Sequence, residues 1–269
     1  MHLIPRASLL ALALSLAPHV QAHNPLAGEL EERLAGLLTA LLLLGFWLVY
    51  SLGARRVRTA RWRQVLFHAT ALLSVLALLG PLDDWAKTST AAHMAQHMLL
   101  MVVIAPLWVF SRPLPALSAM TRRIGPFLWT PLLRLTARPI TCAWLHGLAI
   151  WFWHLPLFYM AAVENPWWHA LEHACFLLTA LLFWWSVLRA GERDAPWGLL
   201  ALLLTLMHTG FLGAVLTFAG TPLYDEARSL PDQQLAGLIM WVPGAIPYLL
   251  ASAWVGHRWD QQLHRRRLW

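Results

Sequence analysis

From residue 34 onward the chain alternates long apolar runs with short polar connections, the runs covering 34–53, 64–82, 91–110, 140–160, 168–189, 197–219 and 233–256. Each is close to the roughly 20 residues an α-helix needs to cross the hydrocarbon core of a bilayer. None keeps the two-residue alternation of a membrane β-strand, and backbone polar groups in lipid must be satisfied within the segment, so the pattern predicts helices. The expected fold is an all-α integral membrane protein, a seven-transmembrane-helix bundle. Pro106, Pro156, Pro243 and Pro247 fall inside these runs and should bend or end helices locally.

An earlier apolar stretch, "ASLLALALSLA", follows Arg6 and leads into "HVQA", which ends at Ala22. A basic start, an apolar centre and a small residue at the boundary predict a signal peptide over 1–22. Cleavage there would leave His23 as a free N-terminus whose amine and imidazole can chelate a metal; the bland alternative is a polar start to the mature chain. The expected organisation is then a short extracytoplasmic N-terminus (23–33), a membrane domain (34–256) and a basic tail (257–269).

The connections orient the bundle. The loop after the first run carries Arg55, Arg56, Arg58, Arg61 and Arg63, the connection after the third carries Arg112, Arg122, Arg123, Arg134 and Arg138, and the tail ends in "HRRRLW". The intervening loops "DDWAKTST", "VENP" and "GTPLYDEARSLPD" are acidic or nearly neutral. Basic loops stay cytoplasmic, so the N-terminus is expected outside and the C-terminus cytoplasmic. The connection from Ser111 to Pro139 mixes arginines with Leu, Phe and Trp, as does a segment lying along the inner membrane surface.

Composition agrees with this reading. Hydrophobic residues make up 59% of the chain and charged residues only 12%, against about 25% charged in ordinary soluble domains. The net charge of +7 comes from arginine, since Lys87 is the sole lysine. Those arginines sit where topology signals sit, so the charge does not call for a nucleic-acid partner; the expected surroundings are the lipid bilayer. Cys142 and Cys175 form no paired motif, and both lie inside expected spans as small apolar filler.

Histidines carry the candidate chemistry. With this topology His93, His97, His169 and His173 lie in the outer turns of the third and fifth spans, and His154 lies near the outer end of the fourth. In "HMAQH" and "HALEH" the histidines are four residues apart, on one helix face and about 6 Å apart along its axis. A single histidine near a helix end is commonly an interfacial or packing residue. Two such pairs and a fifth histidine at matching depth predict a metal or haem site, because polar side chains within membranes are costly. Glu172 lies on nearly the same face as His169 and can hold an imidazole tautomer. Met94, Met98 and Met101 follow the first pair, and thioethers favour cuprous copper while imidazole suits copper, zinc or iron. His146 and His208 lie deeper; His208 either relays an ion or hydrogen-bonds across the bundle.

In order along the chain stand "HMAQHMLLMVVIAPLWVFSRP", "WFWHLPLFYMAAVENPWWHALEHACFLLTALLFWW", "MHTGFLGAVLTFAGTPLY" and "DQQLAGLIMWVPG". Over about residues 80–255 this set resembles the CtaG family of caa3-type cytochrome c oxidase assembly factors, polytopic proteins of bacterial membranes. The resemblance implies participation in building the oxidase in the bacterial cytoplasmic (inner) membrane, through copper supply to its catalytic subunit. A periplasmic copper donor is a further expected partner. The family's histidines fall on His93, His97, His154, His169 and His173, while His208 and Asp232 match family positions without a defined role.

The expected function is therefore copper binding and delivery to a haem-copper oxidase, without enzymatic activity. Two alternatives stay open: a zinc-dependent membrane hydrolase with Glu172, Asp83 or Asp84 as base, and a b-type haem protein with histidine ligands from facing helices. A scaffold with structural histidines is the fourth.

Overall fold

The computed structural model describes residues 29–122, 125–225 and 228–267. The expected signal peptide, its cleavage site and His23 lie outside the described residues. Within them all regular structure is helical. Six helices are long and apolar enough to cross a membrane: Leu30–Ala54, Arg61–Thr88, Thr90–Ser111, Pro166–Leu188, Ala195–Phe218 and Leu230–Arg265.

In chain order the elements are α1 (Leu30–Ala54), α2 (Arg61–Leu79), α3 (Pro81–Thr88) and α4 (Thr90–Met98), the last continuing through a π-helical turn (Leu99–Ile104) into α5 (Ala105–Ser111). The segment between Ser111 and Pro139 folds into α6 (Leu114–Met120) and α7 (Gly125–Thr136). Then follow α8 (Pro139–Trp153), α9 (Pro156–Glu164), α10 (Pro166–Leu188), α11 (Ala195–Phe218) and α12 (Leu230–Arg267).

The fourth expected span, 140–160, is not one long helix. It breaks at His154, the C-cap of α8, because Leu155 turns extended (φ −65°, ψ 133°) before Pro156 starts α9. Proline has no N–H to continue the ladder and its ring pushes the preceding residue out of the helical region. Pro243 and Pro247 behave differently, since α12 runs through both.

Pro106 leaves another mark. Just before it, the N–H of Ala105 bonds the carbonyl of Leu100, five residues back. In that register the carbonyl of Met101 should receive the N–H of residue 106, which proline lacks. The indole N–H of Trp184 on α10 supplies the missing donor at 2.7 Å. The wide turn is thus set by a proline and completed from a neighbouring helix.

Two apolar clusters hold the bundle. One joins α4, α8, α10, α11 and α12 around Met101, Phe176, Phe183, Trp184 and Leu202. The other joins α1, α2 and α5, with Tyr50 stacked on Phe67 at 3.4 Å between ring centroids. Between α11 and α12 the backbones nearly touch: a Cβ on Gly213 would meet the Gly237 carbonyl at 2.9 Å, and one on Gly237 would meet the Gly213 carbonyl at 2.5 Å. Small residues permit this approach, and van der Waals packing is the chief attraction between helices in lipid. Leu34, Leu37, Leu38, Leu41 and Leu42 on the first half of α1 stay exposed, as lipid-facing side chains do.

Candidate metal centre

The site is built from the starts of α4 and α10, each anchored at its N-terminus. For α10 the anchor is local: the Asn165 side chain accepts from the N–H groups of Trp167 and Trp168 at 2.9 and 3.2 Å. For α4 it is local and distant together. The Ser89 hydroxyl accepts from Ala92 N–H and donates to Asp232 Oδ1. Asp232 Oδ2 accepts from Thr90 N–H at 2.6 Å and lies 3.4 Å from Ala91 N. A carboxylate at a helix N-terminus satisfies orphan donors and complements the helix dipole, so α12 holds the position of α4.

Anchored in this way, the two helices present four imidazoles to one another. Ring centroids are 4.2 Å apart for His93–His97 and 4.1 Å for His169–His173 along the helices. Across the gap they are 5.1 Å apart for His93–His169 and 5.4 Å for His97–His173. Between them lies the fully buried carboxylate of Glu172. Its Oε2 is 3.2 Å from His93 Nε2, where the imidazole N–H donates, and 3.4 Å from His97 Nε2.

Buried polar atoms nearly always find hydrogen-bond partners, and a buried charge is paired or coordinates a metal. Here His97 Nδ1 and Nε2, His169 Nε2, His173 Nε2 and Glu172 Oε1 are buried without a hydrogen-bond partner. Among the described residues, three groups bring donor atoms within 4.8 Å of one another: His93, His169 and Glu172; His97, Glu172 and His173; and Asp83, His169 and His173. Imidazole nitrogens and carboxylate oxygens in such triads form a donor set for copper, zinc or iron. The residues therefore fit a metal.

One edge of the cluster, at His169 and His173, borders a cleft. The cleft, of about 860 Å³, is lined by residues including Glu32, Asp83, Lys87, Glu164, His169 and His173. Gln96, buried on α4, donates to the Ala77 carbonyl and to Asp83 Oδ1, each at 2.8 Å. It thereby ties Asp83 to the histidine-bearing helix. On another side Tyr159 covers His93 at 5.1 Å between centroids and stacks on Tyr224 at 3.8 Å. Arg228 then locks this cover, donating to Tyr159 Oη, Thr90 Oγ1 and the Lys87 carbonyl. Burial, followed by the neighbouring Tyr159 and Glu172, raises the Tyr224 phenol above its ordinary range and keeps it neutral.

The expected site residues divide. His93, His97, His169, His173 and Glu172 come together, with Glu172 at the centre and facing the opposite helix, beyond holding a tautomer on its own. His154 is one step away, 6.2 Å from His97 between centroids, with its Nδ1–H donating to the Ile150 carbonyl. His208 is elsewhere, its Nε2 where it would lie 2.9 Å from a Cβ on Gly147 of α8. Asp232 is engaged at the α4 N-terminus. Met94, Met98 and Met101 belong to the apolar core, and the Met98 thioether lies beside Gly244 of α12, 3.0 Å from where a Cβ would be. Sequence reasoning missed Gln96 and Arg228 as positioning residues. "HMAQH" places Gln96 next to His97, but its partners lie on other elements.

Comparison with curated proteins and with solved structures gave no match. The family model described as cytochrome c oxidase caa3 assembly factor (Caa3_CtaG) matches residues 46–262, a stretch that holds every residue of the cluster and of its supports. The chain belongs to the caa3-type cytochrome c oxidase assembly factor family.

Proposed function

We propose that this protein binds copper at the four-histidine cluster and passes it to the catalytic subunit of a haem-copper oxidase during assembly. One observation carries the reading: four imidazoles from two helices surround one buried carboxylate in a member of an oxidase assembly family. Imidazoles accept copper, and the side cleft gives both a loading and a release path. A periplasmic copper donor is the partner proposed to load it.

The same reading places the cluster near the outer face of a bacterial cytoplasmic membrane. It takes the arginine-rich connections as cytoplasmic and counts α8 with α9 as the fourth of seven crossings, behind a cleaved signal peptide. His154, at the break in that crossing, is proposed as an exchange ligand beside His97. Replacing His93 and His97 together in cells tests the function. The expected result is loss of oxidase activity and of oxidase copper; normal copper with full activity would overturn it in favour of a scaffold role.

A specific observation also favours a second reading, zinc-dependent hydrolysis. "HALEH" has the H-x-x-E-H spacing in which certain zinc peptidases hold a metal and a general base. Stoichiometric zinc in protein purified from its host, together with hydrolysis of a lipid amide, would favour the hydrolase over copper delivery.

A further inference from the structure

We infer that the centre holds two ions that share Glu172. His93 and His169 serve one position, and His97 and His173 serve the other. The inference rests on the copper-binding reading and specifies how that site is divided.

The four imidazoles face one another in two pairs. Across the gap the facing pairs are the closer ones, at 5.1 and 5.4 Å between centroids, while the diagonal pair His93–His173 stands 6.5 Å apart. Two of the three metal-capable groups follow this pairing, one triad per facing pair with Glu172 in both, while the third joins His169 and His173 through Asp83. The centre is a ladder of two rungs, each made of one histidine from α4 and one from α10.

The rungs are 4.2 and 4.1 Å apart along the two helices. Two-metal sites space their ions by about 3.5–4 Å, so this pitch suits a pair. Glu172 has the geometry of a bridge, because Oε2 faces both His93 and His97 while Oε1 is buried without a partner. Each oxygen can take one ion.

Charge points the same way. A pair of cuprous ions brings two positive charges into a buried space, where Glu172 alone supplies one negative charge. Asp83 supplies the second, since it forms the third triad with His169 and His173 at the cleft edge. Loading requires the proton that His93 Nε2 now donates to Glu172 to move to Nδ1 of the same ring, which leaves Nε2 bare for the ion.

The test is the stoichiometry of the full-length protein in detergent, titrated with cuprous ion against a competing chelator. Two ions per chain are expected at saturation, and cupric loading should give an exchange-coupled pair by electron paramagnetic resonance. The paired substitutions His93→Ala with His169→Ala, or His97→Ala with His173→Ala, should each leave one ion, and E172Q should abolish the coupling. A single ion at saturation, or loss of all binding in a rung variant that still folds, would overturn the two-ion centre; the single-ion result would leave the copper-binding reading standing. No binding at all would overturn both. Wild-type stoichiometry and coupling need no substitution, so an unfolded variant cannot decide the matter.

Discussion

Asp232, on α12, accepts the backbone N–H of Thr90, the first residue of α4, at 2.6 Å across 142 positions of sequence. Its other oxygen accepts a hydrogen bond from the Ser89 hydroxyl at 2.9 Å. The helix that carries His93 and His97 therefore has its start clamped by a carboxylate from the far end of the chain.

Replacing Asp232 with Ala should release that clamp. Loss of a helix cap costs about 1 kcal/mol and loss of charged acceptors at partly buried donors somewhat more, so about 1–3 kcal/mol is expected. Thermal unfolding in detergent should fall accordingly, and copper affinity should weaken although no metal donor has been removed. Unchanged affinity would mean that α4 is positioned by packing alone.

Trp184→Phe keeps the aromatic volume and removes the N–H that satisfies the Met101 carbonyl. The buried carbonyl then lacks a partner in the π-helical turn, at a cost of about 1–3 kcal/mol. A lowered melting temperature with copper binding within a few-fold of wild type is the expected outcome, because the turn begins one residue beyond the last residue of α4.

At Gly237 even a methyl group has no space, since a Cβ would lie 2.5 Å from the Gly213 carbonyl and 2.6 Å from Thr217 N. Gly237→Ala should force α11 and α12 apart and destabilise the protein by about 1–3 kcal/mol. Reduced yield and broadened gel-filtration profiles would report it. Wild-type stability would show that the helices can slide apart without penalty.

Acid should strip the metal. A ring nitrogen that holds a proton cannot hold an ion, and each imidazole ligand must be bare to bind. Binding is therefore fully present at high pH and lost as pH falls, and titrations at about pH 8 and about pH 3 should differ strongly. Equal affinity at both would argue that histidines are not the ligands.

How much of this was legible beforehand differs from element to element. The helices at 34–53, 64–82, 91–110, 168–189, 197–219 and 233–256 were written in apolar run length, because lipid demands an uninterrupted, internally bonded segment. Pro156 announced a bend or an end, but only the structure shows the chain extended at Leu155. The two H-x-x-x-H pairs were equally plain, since helical periodicity alone puts both imidazoles of a pair on one face.

The sequence by itself determined which side chains each helix presents, because that depends on local spacing. Only the tertiary structure decided which faces meet. It brought "HMAQH" against "HALEH", placed Glu172 between them, left His154 one step away and sent Asp232 to the start of α4. Those relationships depend on how separate helices pack, and no local rule of spacing or propensity contains them.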